Sequence, residues 1–248
     1  MEILFLGTGT STGVPQIGCK CRVCTSTDKK DKRLRASVLI SEGGNRILID
    51  CGPDLRQQLI EYNVDYLSAI LLTHEHYDHV GGLDDVRPLG EAQLYAEKKV
   101  LNIIQRNLPY CFGENRYPGV PKINLHEISE KEFSINNLKI QPIRAKHANL
   151  PILGFRIGRF AYFTDVKTIE NKAIEQLKDL DILVLNALRP FEHISHLSLN
   201  DALELSEKIG AKKTYFTHMS HDMGLHKEIN AQLPQNIQLA FDGLKLNV

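Results

Sequence analysis

The chain has no surplus of charge: Lys plus Arg and Asp plus Glu each number 30 in 248 residues, so the formal net charge is zero. Without a basic surplus there is no electrostatic footprint for non-specific binding to nucleic acid or an anionic membrane. A polyanionic substrate has to be gripped locally, and a small one is favoured. Long apolar runs are also missing. The opening Glu2-Ile3-Leu4-Phe5-Leu6 stops at Gly7, without a cationic leader or the apolar length of a signal peptide or membrane span, and reads as a strand. Cysteine is scarce, five in all, and three of them crowd together as Cys19, Cys21 and Cys24. For a chain with no expected secretion signal this is a poor disulfide framework, and it fits a thiolate metal site in a cytoplasmic protein. Low-complexity tracts and interdomain linkers are absent as well. A hydrophobic content of 42% over this length suits one large domain, residues 1–248.

The densest chemistry is Thr73-His74-Glu75-His76-Tyr77-Asp78-His79, directly after the apolar run Ala69-Ile70-Leu71-Leu72. An aliphatic run ending in a polar cluster reads as a buried strand delivering its C-terminal end to a site. Imidazole nitrogens and carboxylates are the donors that borderline divalent ions accept, and alternate residues at a strand end point the same way. Asp78 and His79 come round from another side on the next turn, so the segment can serve two ions. Packed together without a cation, each of these groups left buried and unpaired costs about 1 to 3 kcal/mol.

Elsewhere the first half reads as strands punctuated by glycine. Ala36 to Ile40 pairs with Ile47 to Asp50 through a hairpin at Glu42-Gly43-Gly44-Asn45. Helices are expected over Asp54 to Tyr62, behind Pro53, and near Lys98 to Arg106. Strands are expected through Leu94 to Ala96, Leu138 to Ile143, Leu153 to Ile157 and Ala161 to Thr164. The second half continues with a helix near Ile169 to Leu177 and a strand Ile182 to Leu185. A helix from Ser198 to Ile209, stopped by Gly210, then leads to the strand Thr214 to Phe216. Two groups of strands with interspersed helices are compatible with two sheets face to face and helices outside, although no sequence repeat marks two halves. Asn107 to Lys122, rich in Pro, Gly and aromatics, is either a surface loop or a lid that touches substrate.

Polar residues recur at strand ends further on: His147 after Ile143, Asp165 after Tyr162-Phe163-Thr164, and His218 after Tyr215-Phe216-Thr217. Together with His74-x-His76-x-Asp78-His79 in this order, they resemble the metallo-β-lactamase superfamily of binuclear metallohydrolases, over nearly the whole chain. The resemblance implies an α/β fold, an αββα sandwich of two mixed sheets flanked by helices. It makes His74, His76 and His147 the ligands of one metal, Asp78, His79 and His218 those of the other, and Asp165 the bridge. His76, where the superfamily's di-iron oxidoreductases carry a carboxylate, favours hydrolysis.

His193 and His196 lie just before the helix that Ser198 caps. In phosphodiesterase branches of the superfamily, including transfer-RNA 3′-processing endonucleases, a histidine in a His-x-Ser/Thr setting contacts phosphate and assists the leaving group. His196-Leu197-Ser198 matches that pattern, and His193 reads as a loop histidine. Gly18-Cys19-Lys20-Cys21-Arg22-Val23-Cys24 with Thr217-His218-Met219-Ser220-His221 is similar to PhnP-type phosphodiesterases of carbon-phosphorus metabolism. There Cys-x-Cys-x-x-Cys and one histidine hold a structural zinc. The implied ligands are Cys19, Cys21, Cys24 and His221, with His226 as the rival fourth, and such a closed site keeps no open position for chemistry.

Cys51 and Cys111 read as ordinary buried or loop thiols. Gly7 to Gly13 lacks the lysine of a phosphate-binding loop and reads as the turn into the cysteine segment. Gly81 to Arg87 is expected to start a helix behind the first motif, with Arg87 in a structural ion pair. The expected function is hydrolysis of a small phosphodiester, cyclic or linear, with His196 and Asp78 as catalytic residues. Two active-site ions (Mn or Zn, with Fe also compatible) and one structural Zn are the expected cofactors. No membrane partner is expected, a large nucleic acid is disfavoured, and a homodimer is compatible with the sequence. A transfer-RNA 3′-processing endonuclease and a metal-bound scaffold without turnover are the alternatives.

Overall fold

The structure, a computed structural model, describes residues 1–113 and 117–248. The first strand, β1 (Glu2–Gly7), is apolar on both faces: Ile3 and Phe5 point one way, Leu4 and Leu6 the other, and all four are buried. Such a strand has to be covered on both sides. The same holds for β2 (Ser37–Glu42), β3 (Asn45–Ile49) and β4 (Ala69–Leu71). β5 (Glu91–Ala96) and β6 (Lys122–Glu127) follow, and near the end of the chain β14 (Lys245–Asn247) returns to pair with β1. The sheet order is β14-β1-β2-β3-β4-β5-β6.

The second sheet holds β7 (Phe133–Ile135), β8 (Leu138–His147), β9 (Leu150–Ile157), β10 (Phe160–Tyr162), β11 (Ile182–Asn186), β12 (Lys213–Thr217) and β13 (Ile237–Leu239). Its order is β13-β12-β11-β10-β9-β8-β7. Each sheet has three antiparallel pairings followed by three parallel ones, so the two halves share an architecture that their sequences do not announce.

Alternation along the strands builds the layers. Ile3, Phe5, Val38, Ile40, Ile47, Ile49 and Leu71 meet Leu153, Phe155, Ile157, Phe160, Tyr162 and Val184 between the sheets. Each fully buried side chain of this size contributes about 1.5 to 3 kcal/mol. The opposite faces receive helices. Leu4, Leu6, Leu48 and Ile70 pack on α1 (Leu55–Glu61) and α3 (Lys98–Asn107); Phe163, Leu183 and Leu185 pack on α5 (Asn171–Ile174) and α6 (Leu199–Ile209). This is the αββα sandwich that the sequence leads one to expect. Short α2 (Tyr77–Val80) carries Asp78 and His79, α4 (Pro109–Phe112) follows α3, and α7 (His226–Asn230) lies near β13. Among the described residues no helix is long and apolar enough to cross a membrane.

Some expectations shift. The helix near Ile169 to Leu177 is one α-turn, α5, passing into a 3₁₀ turn at Glu175–Leu177. Behind Gly81-Gly82 stands a 3₁₀ helix, Leu83–Leu89, which contains Pro88; a proline removes the amide that an α-helix needs there. Arg87 makes the expected ion pair, with Nη2 2.7 Å from both oxygens of Asp84. In the Asn107 to Lys122 segment, Tyr110 donates to Asp84 and Arg87 donates to the Gly119 carbonyl, while residues 114–116 lie outside the described residues. The reading of α6 holds closely: Ser198 caps it in a reciprocal capping box with Asp201, and Gly210 ends it in the left-handed region.

β9 approaches the segment that carries Asp165 at Gly154, where a Cβ would fall 2.3 Å from ring atoms of Phe163. Gly154→Ala is therefore expected to destabilise the fold by about 1 to 3 kcal/mol through overpacking. A matching drop in the urea midpoint checks it, and an unchanged midpoint would show that the ring moves aside freely.

Candidate metal centre

The chemistry-bearing side chains gather where strands of both sheets end. His74 follows β4, Asp165 follows β10, His218 follows β12, and His147 ends β8. The backbone there is unusual. Among the described residues, four of the seven non-glycine residues with positive φ, Asp50, Ala148, Asp165 and His218, lie at these strand ends. Such conformations are costly unless the surroundings enforce them, and they concentrate at functional sites.

Donor atoms of Asp78, His79, Asp165 and His218 lie within 4.8 Å of one another, as do those of His147, Asp165 and His196. Asp165 belongs to both groups. Its Oδ1 is 3.0 Å from His196 Nε2 and 3.3 Å from His218 Nε2; its Oδ2 is 3.1 Å from His79 Nε2 and accepts from Thr164 at 2.6 Å. Asp78 Oδ2 is 3.1 Å from His79 Nε2 and 3.5 Å from His218 Nε2. His74 and His76 stand alongside, their ring centroids 5.7 and 5.2 Å from that of His147. All seven residues expected as active-site ligands thus share one location. The tight donor group on the His147 side, however, includes His196 rather than His74 or His76.

The imidazoles are aimed by partners that sequence reasoning missed. Asp50, fully buried after β3, accepts from His79 Nδ1 at 2.8 Å and from the Thr73 amide at 2.9 Å. Thr73 Oγ1 donates to Asp50 and is 2.9 Å from His74 Nδ1, whose N–H it can accept. His147 donates Nδ1–H to the Ser195 carbonyl at 2.8 Å. In each case Nδ1 is occupied and Nε2 is presented, the usual way a protein orients an imidazole toward a cation. Asn186 grips the Val166 amide and carbonyl at 2.7 and 3.0 Å, which locks the turn bearing Asp165. Asp50 was open to discovery by the rule that found the others, a polar residue directly after an apolar strand. Asn186 gave no such signal.

The electrostatics are those of a site built around charge. Burial alone would raise Asp165 and Asp78; for Asp165 the neighbouring His218 and His79, and for Asp78 the neighbouring His79 and the hydrogen bond to His218, hold the carboxyl below its ordinary range. Burial would lower His79, yet Asp165, Asp78 and Asp50 hold it well above an ordinary imidazole. Burial pushes His196 down to about 4 against the hydrogen bond it donates to Asp165, and it pushes His74 far down. Nε2 of His79 and both ring nitrogens of His218 are buried without an aligned hydrogen-bond partner. Buried polar atoms left this way are rare, and imidazole and carboxylate donors converging on one point are what a divalent cation satisfies.

His193, expected to be a mere loop histidine, has its Nδ1 3.1 Å from His196 Nδ1, with Ser195 Oγ within 3.2 Å of both rings.

A second cluster sits nearby. Cys19, Cys21, Cys24 and His221 also place their donor atoms within 4.8 Å of one another, with His221 Nδ1 3.6 Å from Cys19 Sγ and 3.4 Å from Cys21 Sγ. Three thiols and one imidazole are the donor set of a closed tetrahedral zinc site. The rival His226 is engaged elsewhere: its amide donates to Asp31 at 2.7 Å and its Nδ1 lies 3.2 Å from Arg33 Nη2. Cys51 and Cys111 are fully buried, as expected of ordinary thiols.

Residues 45–219 match the pattern described as a beta-lactamase superfamily domain. The chain belongs to that superfamily. It superposes with a TM-score of 0.94 and 40% identity on a crystal structure described as a new diphosphatase from the PhnP family, over 100% of this chain and 97% of that one. It is 46% identical over 99% of its length to a Porphyromonas gingivalis protein named octanoyltransferase, but spans only 51% of that protein. Zn²⁺-bound PqqB from Methylobacterium extorquens, 21% identical over the whole of both chains with a TM-score of 0.79, shares the fold. PhnP-like membership of the metallo-β-lactamase superfamily is therefore as the sequence led one to expect.

Purified protein is expected to hold one zinc that resists mild chelation, because a closed thiolate site releases metal more reluctantly than an open one. Elemental analysis of Cys21→Ala should find that zinc gone, and its retention would contradict the assignment to the cysteine cluster.

A buried polar network joins the outlet of the first strand to the C-terminal part of the chain. Arg33 donates to Thr8 and the Ala240 carbonyl, both at 2.7 Å, and Asp242 accepts from Thr8 Oγ1 and the Leu34 amide, also at 2.7 Å. Burial raises the Asp242 carboxyl to about 6. A raised acid favours the protonated folded form, so its contribution is full below about pH 4 and is lost as pH rises through about 6. Asp242→Asn is expected to remove a loss on the order of 2 to 3 kcal/mol between those limits. Urea midpoints at pH 4 and 7 measure this, and an unchanged pH slope in the variant would contradict it.

Proposed function

We propose that the chain is a metal-dependent phosphodiesterase that transfers the phosphoryl group of a small phosphodiester to water. The observation that supports this reading is Asp165, one carboxylate that belongs to both groups of donors. His74, His76 and His147 on one side and Asp78, His79 and His218 on the other would hold two divalent ions, Mn, Zn or Fe, with Asp165 between them. Ions held there supply charge neutralisation for the phosphoryl oxygens and acidify water.

The chain's own residues do the rest. Asp50, Thr73 and the Ser195 carbonyl keep His79, His74 and His147 in orientation. Water provides the oxygen of the new P–O bond, and the P–O bond to the leaving group breaks in line with it. The departing alkoxide takes a proton from His196 Nε2, which the proton released by water restores. His193 and Ser195 meet Nδ1 on the far edge of the His196 ring and would keep its Nε2 turned toward Asp165 and a bound phosphate.

A second reading, cleavage of a P–O–P bond, is favoured by the 40% identity with a PhnP-family diphosphatase. The same residues suit it, with phosphate in place of alkoxide as the leaving group. A transfer-RNA 3′-processing endonuclease fits less well. The chain between His147 and Asp165 is spent on β9 and β10, which leaves no RNA-gripping arm there, and the net charge is zero. A scaffold without turnover has no use for the His193-Ser195-His196 contacts. Acyl transfer through a thiol lacks support, since Cys51 and Cys111 are buried and the other three cysteines face His221. The octanoyltransferase name belongs to a protein about half of which lies outside the match.

A screen of linear and cyclic phosphodiesters with Mn²⁺, Zn²⁺ and Fe²⁺ tests the reading. His196→Ala is expected to lower kcat by roughly 10²- to 10⁴-fold for alkoxide leaving groups and much less for nitrophenolate, with metal content unchanged. Equal losses on both esters point to phosphate positioning, and depleted metal makes His196 a ligand. No turnover of any diester rejects the phosphodiesterase.

A further inference from the structure

The thiols of the second cluster reach water. Cys24 is buried, but Cys19 and Cys21 are half-buried, and all three are reduced. Cys21 and Cys24 have the Cys-x-x-Cys spacing of redox-active pairs. They share one turn, in which the Cys24 amide donates to Cys21 Sγ at 3.4 Å and the Thr25 amide to the Cys21 carbonyl at 3.0 Å. Their sulfurs lie within 4.8 Å of each other. With one thiol open to solvent and a second this close, an oxidised sulfur is captured by its neighbour.

Little else fixes this segment. Pairing of Val14 with Arg33 and a bond from Lys32 Nζ to the Cys24 carbonyl mark its ends. Between them the buried core is Val14, Val23 and Cys24. Burial on that scale does not offset the entropy of ordering residues 14–25, and the ion pair of Arg22 with Glu228 is exposed and adds little. The convergence of the three sulfurs on His221 is thus the tie between the segment and the C-terminal part of the chain.

His221 stands three residues after His218, beyond the end of β12. Between them the Met219 amide donates to the Thr8 carbonyl at 2.9 Å, the Thr10 amide to the Met219 carbonyl at 3.0 Å, and the Ser220 amide to the Leu188 carbonyl at 2.9 Å. The Leu188 amide donates in turn to the Leu197 carbonyl at 3.0 Å, at the neck of the loop that carries His193 and His196. A displacement of His221 is one short stretch of backbone away from both His218 and that loop.

We infer that Cys21 and Cys24 are a redox-sensitive latch on the metal centre, closed when reduced and opened by a peroxide. The Cys21 thiolate attacks hydrogen peroxide; an S–O bond forms, the O–O bond breaks, and the departing hydroxide is protonated by solvent. The Cys24 thiol then attacks the sulfenic sulfur, so that an S–S bond forms and its proton leaves with the hydroxyl as water. Two sulfurs have given two electrons to the peroxide. The pair no longer offers two thiolates to an ion shared with Cys19 and His221, and His221 is released. What the latch regulates rests on the phosphodiesterase reading; the latch itself does not.

The test exposes the zinc-loaded full chain to hydrogen peroxide in roughly tenfold excess and follows peptide maps, zinc release, amide hydrogen exchange and diester turnover. The expected result is a Cys21–Cys24 disulfide, release of the resistant zinc, and exchange at the Met219 and Ser220 amides faster by about tenfold or more, with the β3 amides unchanged. Turnover should fall in step, and a dithiol with added zinc should restore every reading. Cysteines left unmodified at a dose that oxidises a free thiol, or a disulfide through Cys19, overturn the assignment. So does an unchanged rate at Met219 and Ser220 once the disulfide has formed. Faster exchange in β3 as well would mean general unfolding rather than a latch, and constant turnover in the opened form removes its link to the site. The parent reading fails separately: reduced protein that opens reversibly but cleaves no diester retains the latch and rejects the phosphodiesterase.

Discussion

Asp165 is a wholly buried carboxylate in contact with three imidazoles and a hydroxyl. Taking such a charge out of water costs several kcal/mol unless it is closely compensated. Much of this end of the molecule supplies the compensation. Strands from both sheets bring histidines to its two oxygens, Asn186 fixes its turn, and Asp50 holds His79 from behind. The price in backbone strain falls at the same place, where Asp50, Asp165 and His218 all adopt positive φ.

The two metal-type clusters are mechanically one assembly. His218 and His221 lie three residues apart, and Met219 between them is stitched to the first strand's outlet. Its amide donates to the Thr8 carbonyl and its carbonyl accepts from the Thr10 amide, at 2.9 and 3.0 Å. Thr8 in turn meets Arg33 and Asp242. The cysteine cluster therefore ties the N-terminal segment to the strand end that presents His218. Three thiols and one imidazole are a donor set that suits a closed site, which offers no open position to a substrate.

A chain with no net charge can still act on an anionic substrate when its cations are concentrated. Here surface cations such as Arg144 and Arg87 are held in pairs with Glu97 and Asp84, and on the proposed reading the charge that meets the substrate would be that of ions held at the strand-end site. On that reading, small ligands that enter the site would be favoured over a long polyanion, whose affinity depends on many dispersed phosphate contacts.

The sequence by itself determined the αββα class and pointed to the cluster of histidines and aspartates at the strand ends, because both follow from local pattern. Strands apolar on both faces must be buried on both faces, and His74, His76, Asp78, His79, Asp165 and His218 follow such strands, while His147 ends the alternating strand β8. Cys19, Cys21 and Cys24 were legible for the same reason, as donors packed close along the chain. Only the tertiary structure decided what depends on distant partners. It chose His221 over His226, because Asp31 and Arg33 engage the latter. It brought Asp50 and Asn186 to His79 and Asp165, and it raised His193 from a loop residue to a neighbour of His196. It also paired β14 with β1 across nearly the whole chain and shortened the helix near Ile169. Short edge strands and single helical turns carry too few residues for periodicity to reveal them, and hydrogen bonds between residues far apart in sequence leave no local mark.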